Sequence, residues 1–205
     1  MDRKDINDGF LRPTTSLRNV ATWNIEGFSD EKLAVLEIIM EANSIDILCI
    51  QETHTQGSEH YVTETGALVI LSGSEDDRHA GVGFIISAAL RSAIYNFDRH
   101  SARMAAIKIR VPGGKIAIIS AYAPQSMISA DRRLLFFTDL EVYYNSISVN
   151  GMKLICGDFN ARLRYQFPGE EDIMGMHFFQ GIIKIPEVDA NRHFLIELYY
   201  SIQCM

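Results

Sequence analysis

A crowd of short apolar segments within residues 67–122 most narrows what this chain can fold into. Residues 67–71, 82–87, 103–111 and 115–122 are short, bounded by turn formers and rich in β-branched side chains, which reads as strand after strand. Pro112-Gly113-Gly114 reads as a hairpin turn between the last two. Their side chains alternate, with Ala105, Ile107, Ile109 and Val111 on one and Ile116, Ile118 and Ser120 on the other. Strands packed this closely argue against a purely parallel, doubly wound sheet. Ahead of them stands one α/β unit: a strand over 19–25, a helix from Ser29-Asp30 to about Asn43 with Leu33, Leu36, Ile39 and Met40 on one face, and a buried strand over 46–51. Behind them the pattern predicts a helix over 129–148, whose faces Leu134, Leu135, Thr138, Glu141, Val142 and Asn145 map. A strand over 153–156 follows, then a last helix capped by Asp189 or Asn191, with Phe194, Leu195, Leu198 and Ile202 aligned. The class expected is α/β, with mixed strands in one sheet or two and helices outside.

The 205 residues fit one domain, spanning 19–205 after a lead-in over 1–18 that lacks periodicity. Apolar residues at 47% exclude disorder as the main state. The most apolar run, 81–90, is about ten residues against the roughly 20 that span a membrane, so no membrane partner is expected. The polar start MDRKDINDGFLRPTTS lacks the apolar core of a secretory signal, which predicts an intracellular, non-secreted protein. Three cysteines without paired spacing form neither a disulfide framework nor a zinc site and favour a reducing compartment. Cys49 and Cys156 read as small buried apolar residues inside strands. The net charge of −7 argues against holding nucleic acid by bulk electrostatics, yet leaves room for an enzyme with an acidic metal site. The acidic clusters Glu75-Asp76-Asp77 and Glu170-Glu171-Asp172 read as solvated loops.

Polar residues terminate four of the apolar strands: Asn24; Gln51-Glu52-Thr53-His54; Tyr122-Ala123-Pro124; and Gly157-Asp158-Phe159-Asn160. Strand ends are where α/β proteins gather ligands. Glu52 among oxygen donors suits Mg²⁺, a hard cation that keeps waters. Asp158 suits a proton acceptor for an attacking water, or a metal ligand. Asn160 suits an amide donor to a phosphate oxygen, Tyr122 a phenolic donor or phenolate to the same group, and Gly157 a close backbone approach. Taken singly, each has a plainer reading: Asn24 and Gly157-Asp158 as turns, Glu52 as a solvated loop residue, Tyr122 as a packed ring, His54 as surface. Taken together and in this order, they fit metal-assisted hydrolysis of a phosphate ester.

These residues lie in motifs that resemble the endonuclease/exonuclease/phosphatase superfamily: ATWNIEG (21–27), DILCIQETH (46–54), GVGFIIS (81–87), ISAYAP (119–124) and LICGDFNA (154–161). WN and QET are weak alone and strong beside GDFN. The resemblance implies a DNase I-like two-sheet sandwich of mixed strands flanked by helices. It is nearest to the endonuclease domain of LINE-type non-LTR retrotransposons, on AYAP and on Gly169-Glu170-Glu171-Asp172 with Gly175. It further implies Glu52 as the Mg²⁺ ligand, Asn24 beside metal and phosphate, and Tyr122, Asp158 and Asn160 as catalytic, with Mn²⁺ able to substitute for Mg²⁺. Arg103 falls where relatives often carry a strand-opening arginine. The family pattern ends in further strands and a Ser-Asp-His triplet that this sequence lacks, which reads as a C-terminally truncated version of the fold with an exposed sheet edge. His177 and His193 stand in the wrong context to replace that histidine. The apolar stretch 175–185 either covers the exposed face or is an aggregation hazard.

Three functional expectations follow from the resemblance. The first is a Mg²⁺-dependent endonuclease that nicks DNA in the nucleus, from a parent carrying a reverse transcriptase. The second is an inactive or nucleic-acid-binding remnant. The third is a phosphatase or lipid phosphodiesterase.

Overall fold

The computed structural model describes residues 16–163, 166–175 and 191–203, which group into two compact units. The first unit, formed by residues 16–122 and 147–158, contains two sheets. Along the chain come β1 (Val20–Asn24), α1 (Asp30–Ala42), β2 (Ile47–Gln51), β3 (Ser58–Val62), β4 (Leu68–Ser72), β5 (Val82–Ile86), β6 (Ile94–Ser101), β7 (Met104–Val111), β8 (Gly114–Tyr122) and β9 (Gly151–Asp158). One sheet runs β1-β2-β5-β4-β3 and the other β6-β7-β8-β9. Both are mixed: β1 is parallel to β2 and β8 to β9, and every other pairing is antiparallel. This is the two-sheet α/β sandwich of the DNase I-like fold that the sequence led us to expect.

Alternation builds the layer between the sheets. Ile47, Cys49, Phe84 and Ile86 from the first sheet share one cluster with Ile107, Ile109, Ile118 and Tyr122 from the second. The residues between them in sequence face the other way: Leu48, Ile50, Val69, Leu71 and Ile85 pack beneath Leu33, Leu36 and Met40 of α1. A strand covered on both faces must be apolar throughout, which is why β2 reads as an unbroken run. Each of those three α1 side chains contributes about 1.5–3 kcal/mol by burial. Ser29 caps α1 by accepting from the Lys32 amide at 3.2 Å. Buried Asp46 accepts from the amides of Arg18 at 2.6 Å and Asn19 at 3.1 Å, fixing where β1 starts against β2.

Two strands were not foreseen. β3 (SEHYV) is an exposed edge, and β6 is a polar edge with register shifts, so both are defined by the neighbour they pair with rather than by their own pattern. The Pro112-Gly113 turn closes the β7–β8 hairpin as expected, with Val111 opposite Gly114.

The second unit comprises the described parts of 123–146 and 159–205. α2 (Ala130–Ser146) buries Arg133, Phe136, Phe137, Leu140 and Tyr143, and α3 (Arg192–Gln203) buries Phe194, Leu195, Ile196 and Leu198. Phe137 stacks on Phe194 at 5.7 Å between ring centres. Asn191 is fully buried and acts as a hub: its amide donates to the carbonyls of Pro124 at 2.8 Å and Phe159 at 3.0 Å, and its oxygen accepts from Arg133 at 3.2 Å. Its backbone carbonyl receives α3's first turn, bonded by the Leu195 amide at 3.0 Å. The cluster 170–172 is only partly the solvated loop anticipated. Glu170 is buried and forms a two-point ion pair with Arg192, at 2.8 and 2.5 Å. Among the described residues, no helix is long and apolar enough to cross a membrane. The alternative cap Asp189, His177, Cys204, most of the lead-in and nearly all of the apolar stretch 175–185 lie outside the described residues.

Candidate active site

The two parallel strand pairs create the site. Register puts Asn24 beside Gln51 at the end of β1–β2 and Tyr122 beside Asp158 at the end of β8–β9. The sheets face each other, so the two ends meet. The Asn24 amide nitrogen donates to Glu52 Oε1 at 2.7 Å and to Asp158 Oδ2 at 2.9 Å. The Tyr122 hydroxyl donates to the same Glu52 oxygen at 2.7 Å. Four of the five residues singled out in the sequence thus form one hydrogen-bonded network spanning both sheets. The fifth, Asn160, belongs to the second unit, where its amide donates to the Ala123 carbonyl at 2.9 Å.

The loops after β1 and β2 are bent sharply to hold this network. Glu26, Glu52 and His54 all take left-handed backbone angles (φ 50°, 53° and 57°), unusual for residues with a Cβ. Backbone bonds tie the two loops together: Gly27 N–H to Glu52 O at 2.6 Å and Phe28 N–H to Thr53 O at 2.9 Å. Below the carboxylates, buried Gln51 accepts from Thr22 at 3.1 Å and donates to Ser120 of β8 at 3.1 Å. Gly157 allows β9 to approach, since a Cβ there would lie 1.9 Å from the Ala121 carbonyl.

Two contributors escaped the sequence reading, and His54, read as a surface residue, is exposed. Arg103, to which it gave no role, lies over the Tyr122 ring at 4.8 Å and pairs with Asp77 at 2.8 Å. Burial alone would raise the Asp77 carboxyl, but the Arg103 hydrogen bond and charge outweigh it and hold it below the usual range. Asp77 is therefore not the purely solvated residue expected. His54 Nε2 sits 3.8 Å from Glu52 Oε2 and edge-on to His79 at 5.7 Å. Lys32 is the second: its ammonium donates to the carbonyls of Ile25, Gly27 at 2.7 Å and Glu26 at 3.1 Å, using all three N–H bonds on the turn that follows Asn24. A lysine in the first turn of a helix opposes the helix dipole, and that mismatch was the signal in the sequence that it serves something else.

Glu52 and Asp158 from opposite sheets, with the Asn24 carboxamide between them, make a hard oxygen donor set that fits Mg²⁺ or Mn²⁺. As oriented, Asn24 gives its N–H group to the carboxylates, while its Oδ1 accepts from the Glu26 amide at 3.2 Å. To ligate through oxygen its carboxamide would turn over, exchanging ends of similar shape. No group of three His, Cys, Asp or Glu side chains forms a cage among the described residues, so a cation here would complete its shell with water or substrate oxygens.

The model of the endonuclease/exonuclease/phosphatase family matches residues 21–172, a stretch that carries all five site residues. The chain belongs to this family. Craniofacial development protein 2 of Bos taurus is 26% identical over 163 residues, covering 77% of this chain, and that of Tragulus javanicus is 24% identical over the same length. The chain spans only about a quarter (26%) of the length of these curated relatives. Among solved structures, an AP endonuclease from Archaeoglobus fulgidus aligns with a TM-score of 0.57 and 20% identity over 90% of this chain and 69% of that one. The AP endonuclease LMAP from Leishmania major gives 0.54 and 18% over 71% and 57%. These likenesses establish the fold. The family consists of enzymes that hydrolyse phosphoester bonds, in nucleic acids among other substrates.

Proposed function

We propose that this chain is a Mg²⁺-dependent DNA endonuclease, of the type carried by LINE-type retrotransposons, in which Asp158 and Glu52 do the central chemistry. The observation that carries the reading is the Asn24–Glu52–Tyr122–Asp158 network, which draws two carboxylates from separate sheets onto one amide. Asp158 takes the proton from a water aligned on phosphorus. Tyr122 directs its hydroxyl at the position where a phosphate oxygen gains charge, and Arg103 holds the Tyr122 ring in place. The family resemblance gives Asn160 the part of an amide donor to phosphate. Glu52 and Asn24 would hold the cation, which supplies positive charge to the phosphate and leaving oxygen. AP endonucleases share the fold, in keeping with DNA as substrate. The motif set favours a retrotransposon origin, a catalytic domain starting near residue 19, a parent with a reverse transcriptase, and action in the nucleus.

Nicking of supercoiled plasmid by the purified chain tests the proposal. We expect nicking with Mg²⁺ or Mn²⁺, none with EDTA, and a loss of at least about 10³-fold in Asp158→Asn, the scale of removing one member of a catalytic unit. A folded chain that nicks nothing, or an Asp158→Asn variant as active as the parent, would refute it. Hydrolysis of phosphomonoesters or sphingomyelin in preference to DNA would move the chemistry to another substrate.

A further inference from the structure

The mechanism above leaves two thiols unused. Cys49 lies on β2 three residues before Glu52, and Cys156 lies on β9 two residues before Asp158. Side chains alternate along a strand, so Cys49 shares the face of Gln51 and Cys156 the face of Asp158. Both of those faces look into the layer between the sheets: Gln51 reaches across to Ser120, and Asp158 accepts from Asn24. Ser120 is in turn the register partner of Cys156. The two cysteines pack into the same core cluster, Cys49 fully buried and Cys156 half-buried, and neither is in a disulfide.

We propose that Cys49 and Cys156 are a reversible dithiol/disulfide pair that links β2 to β9 directly beneath the two carboxylates. Neither the family match nor the proposed hydrolysis calls for it. Two thiols on facing strands of one packed layer are the arrangement from which an S–S bond of roughly 2.05 Å can form.

The pair is asymmetric in a way that sets the order of events. Cys156 has access to solvent, whereas Cys49 is fully buried, so a dissolved oxidant meets Cys156 first. The oxidant is a low-molecular-weight disulfide such as oxidised glutathione. The Cys156 thiolate attacks one of its sulfurs, forming a mixed disulfide and expelling one glutathione thiolate. Cys49 then attacks Cys156 Sγ, its proton passing to the second glutathione as that leaves. Two protein thiols and one small disulfide become one protein disulfide and two small thiols, with two electrons passing to the oxidant.

The test uses the 205-residue chain carrying Cys204→Ser, since Cys204 lies outside the described residues and offers a competing thiol. The folded chain is equilibrated with oxidised glutathione, alkylated, digested without reductant and mapped by mass spectrometry. We expect a Cys49–Cys156 cross-linked peptide, loss of both alkylatable thiols, and full recovery with dithiothreitol. Adding Cys49→Ala should trap glutathione on Cys156, and adding Cys156→Ser should leave Cys49 as an unmodified thiol. Circular dichroism confirms that each variant is folded, and the parent chain alone decides the matter if a variant is not. Two alkylatable thiols after oxidation, or a mixed disulfide that persists on Cys156 while Cys49 is present, would overturn the proposal. Neither readout depends on DNA cleavage, so a failure of the hydrolase reading leaves this result standing.

Discussion

Lys32 and Gly81 show how single residues away from the carboxylates decide whether those carboxylates are held. Lys32 gathers three successive carbonyls, and without it that turn presents its oxygens to one another with nothing between them. Lys32→Met keeps the aliphatic stem and removes the charge. We expect the amides of Ile25, Gly27 and Phe28, which bond the β2 loop, to exchange hydrogen at least about tenfold faster, equivalent to about 1.4 kcal/mol of local opening. Lys32→Arg should rescue little, because a flat guanidinium does not converge on three oxygens as an ammonium does. Unchanged exchange in Lys32→Met would make the lysine ornamental. Gly81 acts from the other side. Its φ is +125°, and a Cβ would stand 2.1 Å from Thr53 Oγ1 and 3.1 Å from the His54 amide, within the loop that carries Glu52. Gly81→Ala should therefore cost more than the roughly 1–3 kcal/mol of backbone strain alone. Gly113→Ala is the control, since it also has positive φ (+92°) but open space around it. Urea melts of the two variants separate strain from collision, and equal losses would mean the loop simply yields.

At the level of elements, the pairing of Glu170 with α3 ties the stretch 166–175 to the helix that follows. Both partners are buried, so removing one leaves an unpaired charge, and Glu170→Ala should cost the second unit about 3–5 kcal/mol. The Arg192 hydrogen bond, helped by the Phe167 amide and outweighing burial, holds the Glu170 carboxyl below its ordinary value. A lowered folded value means the stabilisation is complete above the unfolded carboxylate range, about pH 4.3, and fades as pH falls through the lower folded value. Loss of α3 protection below about pH 4, followed by amide exchange and flattened in Glu170→Gln, is the expected outcome; a pH-independent α3 would contradict it. The sequence did not reveal this pair, because Glu-Glu-Asp beside glycine carries the pattern of a solvated turn and its partner lies 22 residues on. The same limit hid β3 and β6. What periodicity did reveal was α1, β2 and the β7–β8 hairpin, where one face or both are buried and the pattern of side chains is dictated by that burial, whereas α2 was found as a helix by residues of which Leu134, Leu135 and Val142 are exposed, its buried face being Phe136, Phe137, Leu140 and Tyr143.

Across the first unit as a whole, the site was legible because its residues end apolar strands. Motif order alone placed Asn24, Glu52, Tyr122 and Asp158 together, while their support by Lys32 and Arg103 depends on contacts that only folding creates. That convergence has a thermodynamic consequence. Glu52 and Asp158 bring two like charges from opposite sheets onto a single amide, so the cation-free fold carries their repulsion and a bound cation would relieve it. Removing one charge should then stabilise the metal-free protein while weakening its response to metal. We expect Asp158→Asn, whose amide oxygen can still accept from Asn24, to raise the metal-free Tm by roughly 2–4 °C per kcal/mol of repulsion relieved. In the parent chain, Mg²⁺ at 100 times its Kd should add about 2.7 kcal/mol, and EDTA should take it away. Differential scanning calorimetry of both proteins, with and without Mg²⁺, reads all four values. A parent chain whose Tm ignores Mg²⁺, or an Asp158→Asn chain that melts lower than the metal-free parent, would show that the network rests on hydrogen bonding alone and that the carboxylates are not poised for a cation.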